Sequence, residues 1–259
     1  MSNQYRPLVS VVMPCYNAAQ FIADSIESVI AQTYENWELI IVDDCSNDNS
    51  LQIILGYQLK DSRIKLICNE HPSGSPADPR NKGIEHSSGE YIAFLDSDDI
   101  WISDKIEVQL AKFQEGDYAI VYANYEIMLE DGSRTGRIIK EPAFTHYNQL
   151  LKYNSIGCSE AIVKKECLGN CRFKKIGHED YLFWLTFLKK GGVAANTNKV
   201  LLIYRERELS VSGNKARAAK WTWNIYRKEL ELNFFKASFY FLHYAVKGLE
   251  RHIGVKRKL

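Results

Sequence analysis

The sequence predicts an α/β protein whose central sheet is mostly parallel and flanked by helices. Short apolar, β-rich runs at 9–13, 39–42, 64–68 and 91–95 have the composition of buried strands. Segments of helical period lie between them, and strand alternating with helix implies a parallel sheet. The strand ends stop abruptly at polar residues, with Tyr16, Asp44 and Asp96 just beyond three of them. In an open parallel sheet ligands bind beyond the carboxyl ends of the strands.

The first run breaks at Pro14-Cys15-Tyr16-Asn17, and Phe21, Ile22, Ile26, Val29 and Ile30 then repeat at helical spacing up to about Thr33. The second run ends at Asp43-Asp44-Cys45-Ser46, whose Ser suits the cap of a helix carrying Leu51, Ile54, Leu55 and Leu59. A loop rich in Pro and Gly at 71–76 leads to a short helix opened by Pro79-Arg80-Asn81-Lys82-Gly83. Beyond Trp101 the pattern predicts a helix over 105–113, a strand over 118–128, a hairpin turn at Asp131-Gly132, a helix over 145–153 and a short strand over 161–163. An amphipathic helix opened by Glu179-Asp180 should bury Leu182, Leu185 and Leu188, and a last strand spans 200–204. The expected organisation is one unit over 1–212, with halves of about 1–101 and 102–212, and a helical segment over 213–259.

Composition narrows the classes. A net charge of +1 and 46% hydrophobic residues over 259 positions describe an ordinary globular chain without the basic field of a nucleic-acid binder. No stretch approaches the roughly 18 apolar residues of a membrane span, and no signal-peptide core opens the chain, so a cytoplasmic protein is expected. The six cysteines form no Cys-x-x-Cys pair and read as reduced, buried thiols. A zinc site from Cys158, Cys167, Cys171 and His178 would have a spacing that matches no common finger.

Two acidic clusters carry chemistry. Asp96-Ser97-Asp98-Asp99 packs three carboxylates into four positions at a strand end, where they repel unless donors, solvent or a cation neutralise them. Carboxylate oxygens with phosphate completing the shell suit Mg²⁺ or Mn²⁺. The plainer reading is an Asp-rich turn capping the next helix. Glu179-Asp180 has a plain reading too, as acids favoured by a helix dipole. A dinucleotide-binding domain is excluded because its first βα turn needs glycines against the pyrophosphate, and the first glycine here is Gly56.

Val9-Ser10-Val11-Val12-Met13-Pro14-Cys15-Tyr16-Asn17, Asp43-Asp44-Cys45-Ser46, Arg80-Asn81-x-Gly83, Asp96-Ser97-Asp98-Asp99 and Glu179-Asp180 with Trp184 occur in the order and spacing of the family 2 glycosyltransferases. The resemblance spans roughly residues 7 to 205. It implies the GT-A fold, a UDP-sugar donor, a divalent ion (Mn²⁺ or Mg²⁺) and inversion at the anomeric centre. By motif, Tyr16 resembles the residue packed on the base, with Pro14, Asn17 and Ser97 beside the nucleotide-sugar. Asp44 resembles the uracil contact, Arg80 the arginine near base and phosphates, Asp96 the ribose contact and Asp98 the metal ligand. Asp180 resembles the general base, with Glu179 as its rival.

Tyr204-Arg205 and Ser210-x-Ser212 with Lys215 resemble the closing loop of bacterial teichuronic-acid and O-antigen transferases, which implies a lipid-linked saccharide as acceptor and a hexose such as glucose or galactose as the unit transferred. The Gln-x-x-Arg-Trp signature of processive synthases is missing from the sequence, so one sugar per acceptor is expected. A nucleotidyltransferase making sugar nucleotides and a silent nucleotide-sugar-binding module are the alternatives; the first carries a Gly-rich basic loop that this chain lacks, and the second would lose Glu179-Asp180. The segment 220–259 is crowded with aromatic and basic residues, which predicts peripheral association with an anionic membrane on its cytoplasmic face. The alternative is that it packs on the catalytic unit or forms a homodimer.

Overall fold

The computed structural model describes residues 5–207 and 215–256, the side chains of Lys215 and of 249–256 excepted. Four parallel strands form one half of the sheet: β1 (Val9–Cys15), β2 (Trp37–Asp43), β3 (Ile64–Cys68) and β4 (Tyr91–Phe94), separated by helices α1 (Ile22–Ile30), α2 (Ser50–Gln58) and α3 (Ala77–His86). β1 and β2 are buried along their whole length, as their unbroken apolar sequence requires. Close packing of α3 on this layer needs Gly83, because a Cβ there would lie 2.3 Å from Val12 Cγ1.

The other half is mixed. After β5 (Ile100–Trp101) and α4 (Lys105–Phe113), β6 (Ile120–Leu129) and β7 (Arg134–Ile139) make the hairpin expected at Asp131-Gly132. β8 (Phe144–Thr145), α5 (Tyr147–Leu150), β9 (Ile162–Lys164) and α6 (Lys165–Leu168) follow, then α7 (Glu179–Leu188) and β10 (Ala194–Glu206). The sheet order is β3-β2-β1-β4-β9-β6-β10-β5, with β9 antiparallel to β4 and β6, and β10 parallel to β6. α8 (Lys215–Asn224), a π-helical turn (Ile225–Glu229) and α9 (Phe234–Lys256) complete the chain.

Four expectations change. The helix foreseen over 145–153 is a single turn, because Thr145 instead pairs with Ala194 in the sheet. The last strand begins six residues earlier than its apolar run, its polar stretch held by Asn196, whose side chain donates to Asn124 Oδ1 and the Glu141 carbonyl. α7 is not amphipathic: Tyr181 to Leu185, Phe187 and Leu188 are all buried, since the sheet covers one side and the C-terminal helices the other. Cys68 and Cys167 are exposed, Cys68 because β3 is an edge strand.

The C-terminal segment docks on the core that contains α7. Ile225, Tyr226, Leu230 and Ala237 are buried in the core cluster that contains α7, and the Tyr181 and Tyr226 hydroxyls lie 2.9 Å apart. No helix among the described residues is long and apolar enough to cross a membrane. Ser210, Ser212, Arg257 and Lys258 lie outside the described residues, as do the side chains of Lys215, Arg251 and Lys256.

Candidate active site

A cleft of about 760 Å³ opens beyond the carboxyl ends of β1 and β4. It is lined by Asp96, Asp98 and Asp99 beyond β4 and by His178, Glu179 and Asp180 at the start of α7. Tyr16, 54% exposed, projects from the end of β1 into the opening, as a ring awaiting a planar partner would. Asn17 beside it adopts a left-handed backbone (φ 48°) and ties two loops, its side-chain oxygen accepting from the Asn47 amide at 2.8 Å.

Arg80 bridges the two acidic clusters. Its guanidinium is 4% exposed and donates to Asp96 Oδ1 at 2.6 Å and to Glu179 Oε1 at 2.7 Å. α3 supplies it from beneath the sheet, so two residues 99 apart in sequence become coupled. Its Nε is buried without a partner. The ion pair at 2.7 Å engages Glu179, the neighbour of Asp180. Burial and the Glu179 charge push the Asp180 carboxyl up to about 7, against the lowering influence of Arg80. One Asp180 oxygen accepts the Tyr181 amide at 2.7 Å.

The strand-end carboxylates are strained electrostatically. Burial and the neighbouring Asp96 raise Asp98, while Arg207 at 3.4 Å from its Oδ2 lowers it. Asp99 is buried and raised well above its ordinary range by burial and by Asp98 and Asp96. Its Oδ1 accepts the Arg205 amide at 3.0 Å. A divalent cation would relieve this excess of negative charge, and Asp98, a quarter exposed on the cleft, is the group placed to hold it. Among the described residues no three His, Cys, Asp or Glu side chains converge as a cage. Such a site fits Mg²⁺ or Mn²⁺ held by one or two carboxylates with phosphate oxygens completing the shell.

Some expected site residues are placed elsewhere. Asp44 is 4% exposed and does not line the cleft: its carboxylate accepts from Asn69 Nδ2, the Ser73 amide and hydroxyl, and the Gly74 amide. Burial works to raise its pKa, yet these donors outweigh it and hold the carboxyl below its ordinary value. Pro14 is buried within β1, and Ser97 is not among the cleft-lining residues. Arg205 lines the cleft, but its guanidinium braces the scaffold, donating to the Asp98 and Glu130 carbonyls and to Asp24. The four residues weighed for zinc are dispersed, with Cys158 and His178 in the cleft and Cys167 exposed.

The structure also brings in residues that sequence reasoning missed. Arg207 reaches Asp98 from the end of β10. Cys158, beside Arg80, is a buried thiol pushed well above its ordinary range by burial. Trp221, Tyr244 and Gly248 of the C-terminal helices complete the wall. The Trp221 ring packs edge-to-face on His178, 5.3 Å between centroids, and against Gly177, where a Cβ would lie 2.0 Å from the indole. The only advance signal was Gly177-His178 immediately before two acids; the positive φ of His178 (59°) is not legible in sequence.

Comparison with known proteins agrees with this geometry. The model of the family described as "Glycosyl transferase family 2" matches residues 10–165. The chain is 40% identical over 250 residues to the putative teichuronic acid biosynthesis glycosyltransferase TuaG of Bacillus subtilis, covering 96% of this chain and 99% of that one. It is 39% identical over 246 residues to the Escherichia coli UDP-Glc:alpha-D-GlcNAc-diphosphoundecaprenol beta-1,3-glucosyltransferase WfgD, covering 95% of each. Among solved structures, S. aureus TarS 1-349 in complex with UDP-GlcNAc superposes with a TM-score of 0.71 at 21% identity, over 87% of this chain and 67% of that one. The mannosyltransferase PcManGT of Pyrobaculum calidifontis, solved with GDP-Man and Mn²⁺, gives 0.66 at 21% identity, over 88% and 65%. At that identity the structural likeness speaks for the GT-A fold alone.

Proposed function

The chain belongs to glycosyl transferase family 2, and from that premise we propose that its cleft moves one hexose, with inversion, from a UDP-sugar to a hydroxyl of a lipid-linked saccharide. The observation that carries the reading is that Asp180 lines the same cleft as Asp96, Asp98 and Asp99, with Arg80 tying the two acidic clusters together and the Asp180 carboxyl raised to about 7. In the proposed step the acceptor oxygen attacks the anomeric carbon, the carbon–oxygen bond to the diphosphate breaks, and the acceptor proton passes to a carboxylate oxygen of Asp180. Arg80 positions both walls. Tyr16 stacks on the base and Asp96 meets the ribose, and Asp98 would hold a Mg²⁺ or Mn²⁺ ion, which when bound would stabilise charge on the departing diphosphate.

Asp180 is favoured over Glu179 as base because Glu179 is ion-paired to Arg80. The lipid-linked acceptor and a glucosyl donor are inferred from the name of the WfgD relative. A lipid-linked acceptor lies at a bilayer, and the outward face of α9, with Phe235, Phe239 and Leu242 exposed, supports peripheral seating on an anionic membrane at its cytoplasmic face. A homodimer through that face is the competing use.

The test is release of UDP from UDP-glucose in the presence of GlcNAc-diphospho-lipid. Asp180→Asn should retain UDP binding and lose transfer by orders of magnitude. Nearly full transfer by Asp180→Asn, with a dead Glu179→Gln, would exchange the two assignments.

A further inference from the structure

A second concavity, about 390 Å³, lies outside the cleft between α5 and the first half of α9. Its walls are Tyr147, Leu151, Leu232, Phe235, Phe239 and Tyr240, and its polar lining is Asn148 and Lys236. Phe235 and Phe239 are 84% and 52% exposed, an unusual display of aromatic surface beside an apolar groove. Lys152 stands at the same rim, its Nζ 6.0 Å from the Phe239 ring centroid.

The groove and the cleft share a helix. Tyr240 lines the groove, while Tyr244 and Gly248 line the cleft. These residues are four apart and so form one ridge along α9, with only about 6 Å of helix between Tyr240 in the groove and Tyr244 in the cleft. A molecule with a polar sugar head in the cleft and an apolar tail could therefore follow one continuous wall.

Resting on the lipid-linked-acceptor reading, we propose that this groove receives the hydrocarbon chain of the acceptor, with Lys152, between groove-lining Leu151 and cleft-lining Tyr153, meeting the phosphates that join chain to sugar, and Lys236 adding positive charge to the groove. The occupant's chemistry follows from the lining: aromatic and aliphatic walls for a chain, and an ammonium group at the junction with the cleft for a diphosphate. Continuity with the cleft selects the acceptor's own tail over an unrelated ligand. The cleft then recognises the sugar while the groove sets how the lipid approaches it.

The test uses the full chain and a probe without sugar. Decyl diphosphate should bind in calorimetry, methyl diphosphate should not, and each methylene buried should raise affinity roughly fourfold. Phe235→Ser with Phe239→Ser should weaken decyl diphosphate at least tenfold, and Lys152→Glu with Lys236→Glu should do likewise. Both variants should keep the wild-type melting temperature and UDP affinity, since none of the four residues lines the cleft. Equal binding of decyl diphosphate by wild type and the Phe variant overturns the proposal. So does a wild-type dimer that the Phe variant converts to monomer without change in probe affinity, which would make the groove an interface between copies. If decyl diphosphate binds as expected but decyl-diphospho-GlcNAc is not glycosylated, the acceptor sugar assigned above fails and the groove stands.

Discussion

The Arg80 guanidinium and the Glu179 carboxylate lie 2.7 Å apart, joining α3 to the start of α7 and fixing which of two adjacent acids keeps a high proton affinity. Glu179 contributes to the raised state of Asp180, second only to burial. The first prediction follows from that sign. A base raised to about 7 is protonated below that pH, so transfer should fall as pH drops through about 7. Glu179→Gln removes the raising charge, and its acid limb in kcat/KM should move to lower pH. An unmoved limb would detach the limb from Asp180.

A second prediction concerns stability. Asp180 binds its proton more tightly when folded than at its ordinary 3.8, so its contribution is present below that value and is lost as pH rises through about 7. Asp180→Asn should therefore be more stable than wild type at pH 8, by on the order of 4 kcal/mol at most, and the two should converge near pH 4. Thermal melts across that range check it. A variant less stable at pH 8 would mean that the carboxylate is compensated in the native protein.

The nucleotide-facing half was largely legible. The runs at 9–13, 39–42 and 64–68 became β1, β2 and β3 because buried parallel strands are apolar throughout, leaving little ambiguity of period. Asp96, Asp98, Arg80 and Asp180 were brought into one cleft as their motifs suggested. Arg205 and Asp44 show what residue type cannot reveal. An arginine at a strand end serves equally a phosphate or three nearby oxygens, and the loop that saturates Asp44 folds back over 25 to 30 residues of sequence. The mixed half was less legible: β10 carries a polar stretch at 196–199 inside the sheet, and in helix α7 the spacing of Leu182, Leu185 and Leu188 suggests one buried face where the helix is enclosed on both sides.

Metal dependence gives a third prediction. Burial and Asp96 make Asp98 costly as a lone anion, offset in part by Arg207 at 3.4 Å. UDP should raise the melting temperature of wild type by several degrees with Mn²⁺ or Mg²⁺ at saturating ligand and by little in EDTA. Asp98→Ala should abolish that difference and transfer with it. Full turnover of Asp98→Ala in chelator would remove Asp98 from the metal site.

The Asp44 loop supplies a fourth. Asp44→Ala strands the Ser73 and Gly74 amides and Asn69 Nδ2, at a cost of about 1–3 kcal/mol. UDP should bind wild type more tightly than GDP, because a carboxylate accepts the N3–H of uracil, and this preference should vanish in the variant if Asp44 exchanges its loop donors for the base. Calorimetry with both nucleotides reads it. A preference that survives Asp44→Ala would leave Asp44 as a loop anchor alone.

The last prediction joins the C-terminal helices to catalysis. A Cβ on Gly177 would lie 2.0–2.3 Å from three indole atoms of Trp221, so Gly177→Ala must displace α8 or the backbone that presents His178, Glu179 and Asp180. His178 Nε2 is buried there without a partner, and burial lowers its pKa, so the ring is held neutral against the indole edge. Gly177→Ala should lower the melting temperature, and reduce transfer at least tenfold, while leaving UDP affinity intact, since Tyr16 and Asp98 are carried by the ends of β1 and β4 and not by α7 or α8. Trp221→Ala removes the obstructing ring, and the double variant should be more stable than the sum of the single changes predicts, by on the order of 1–3 kcal/mol of coupling. Strict additivity in that cycle would show that the glycine and the indole are not in contact.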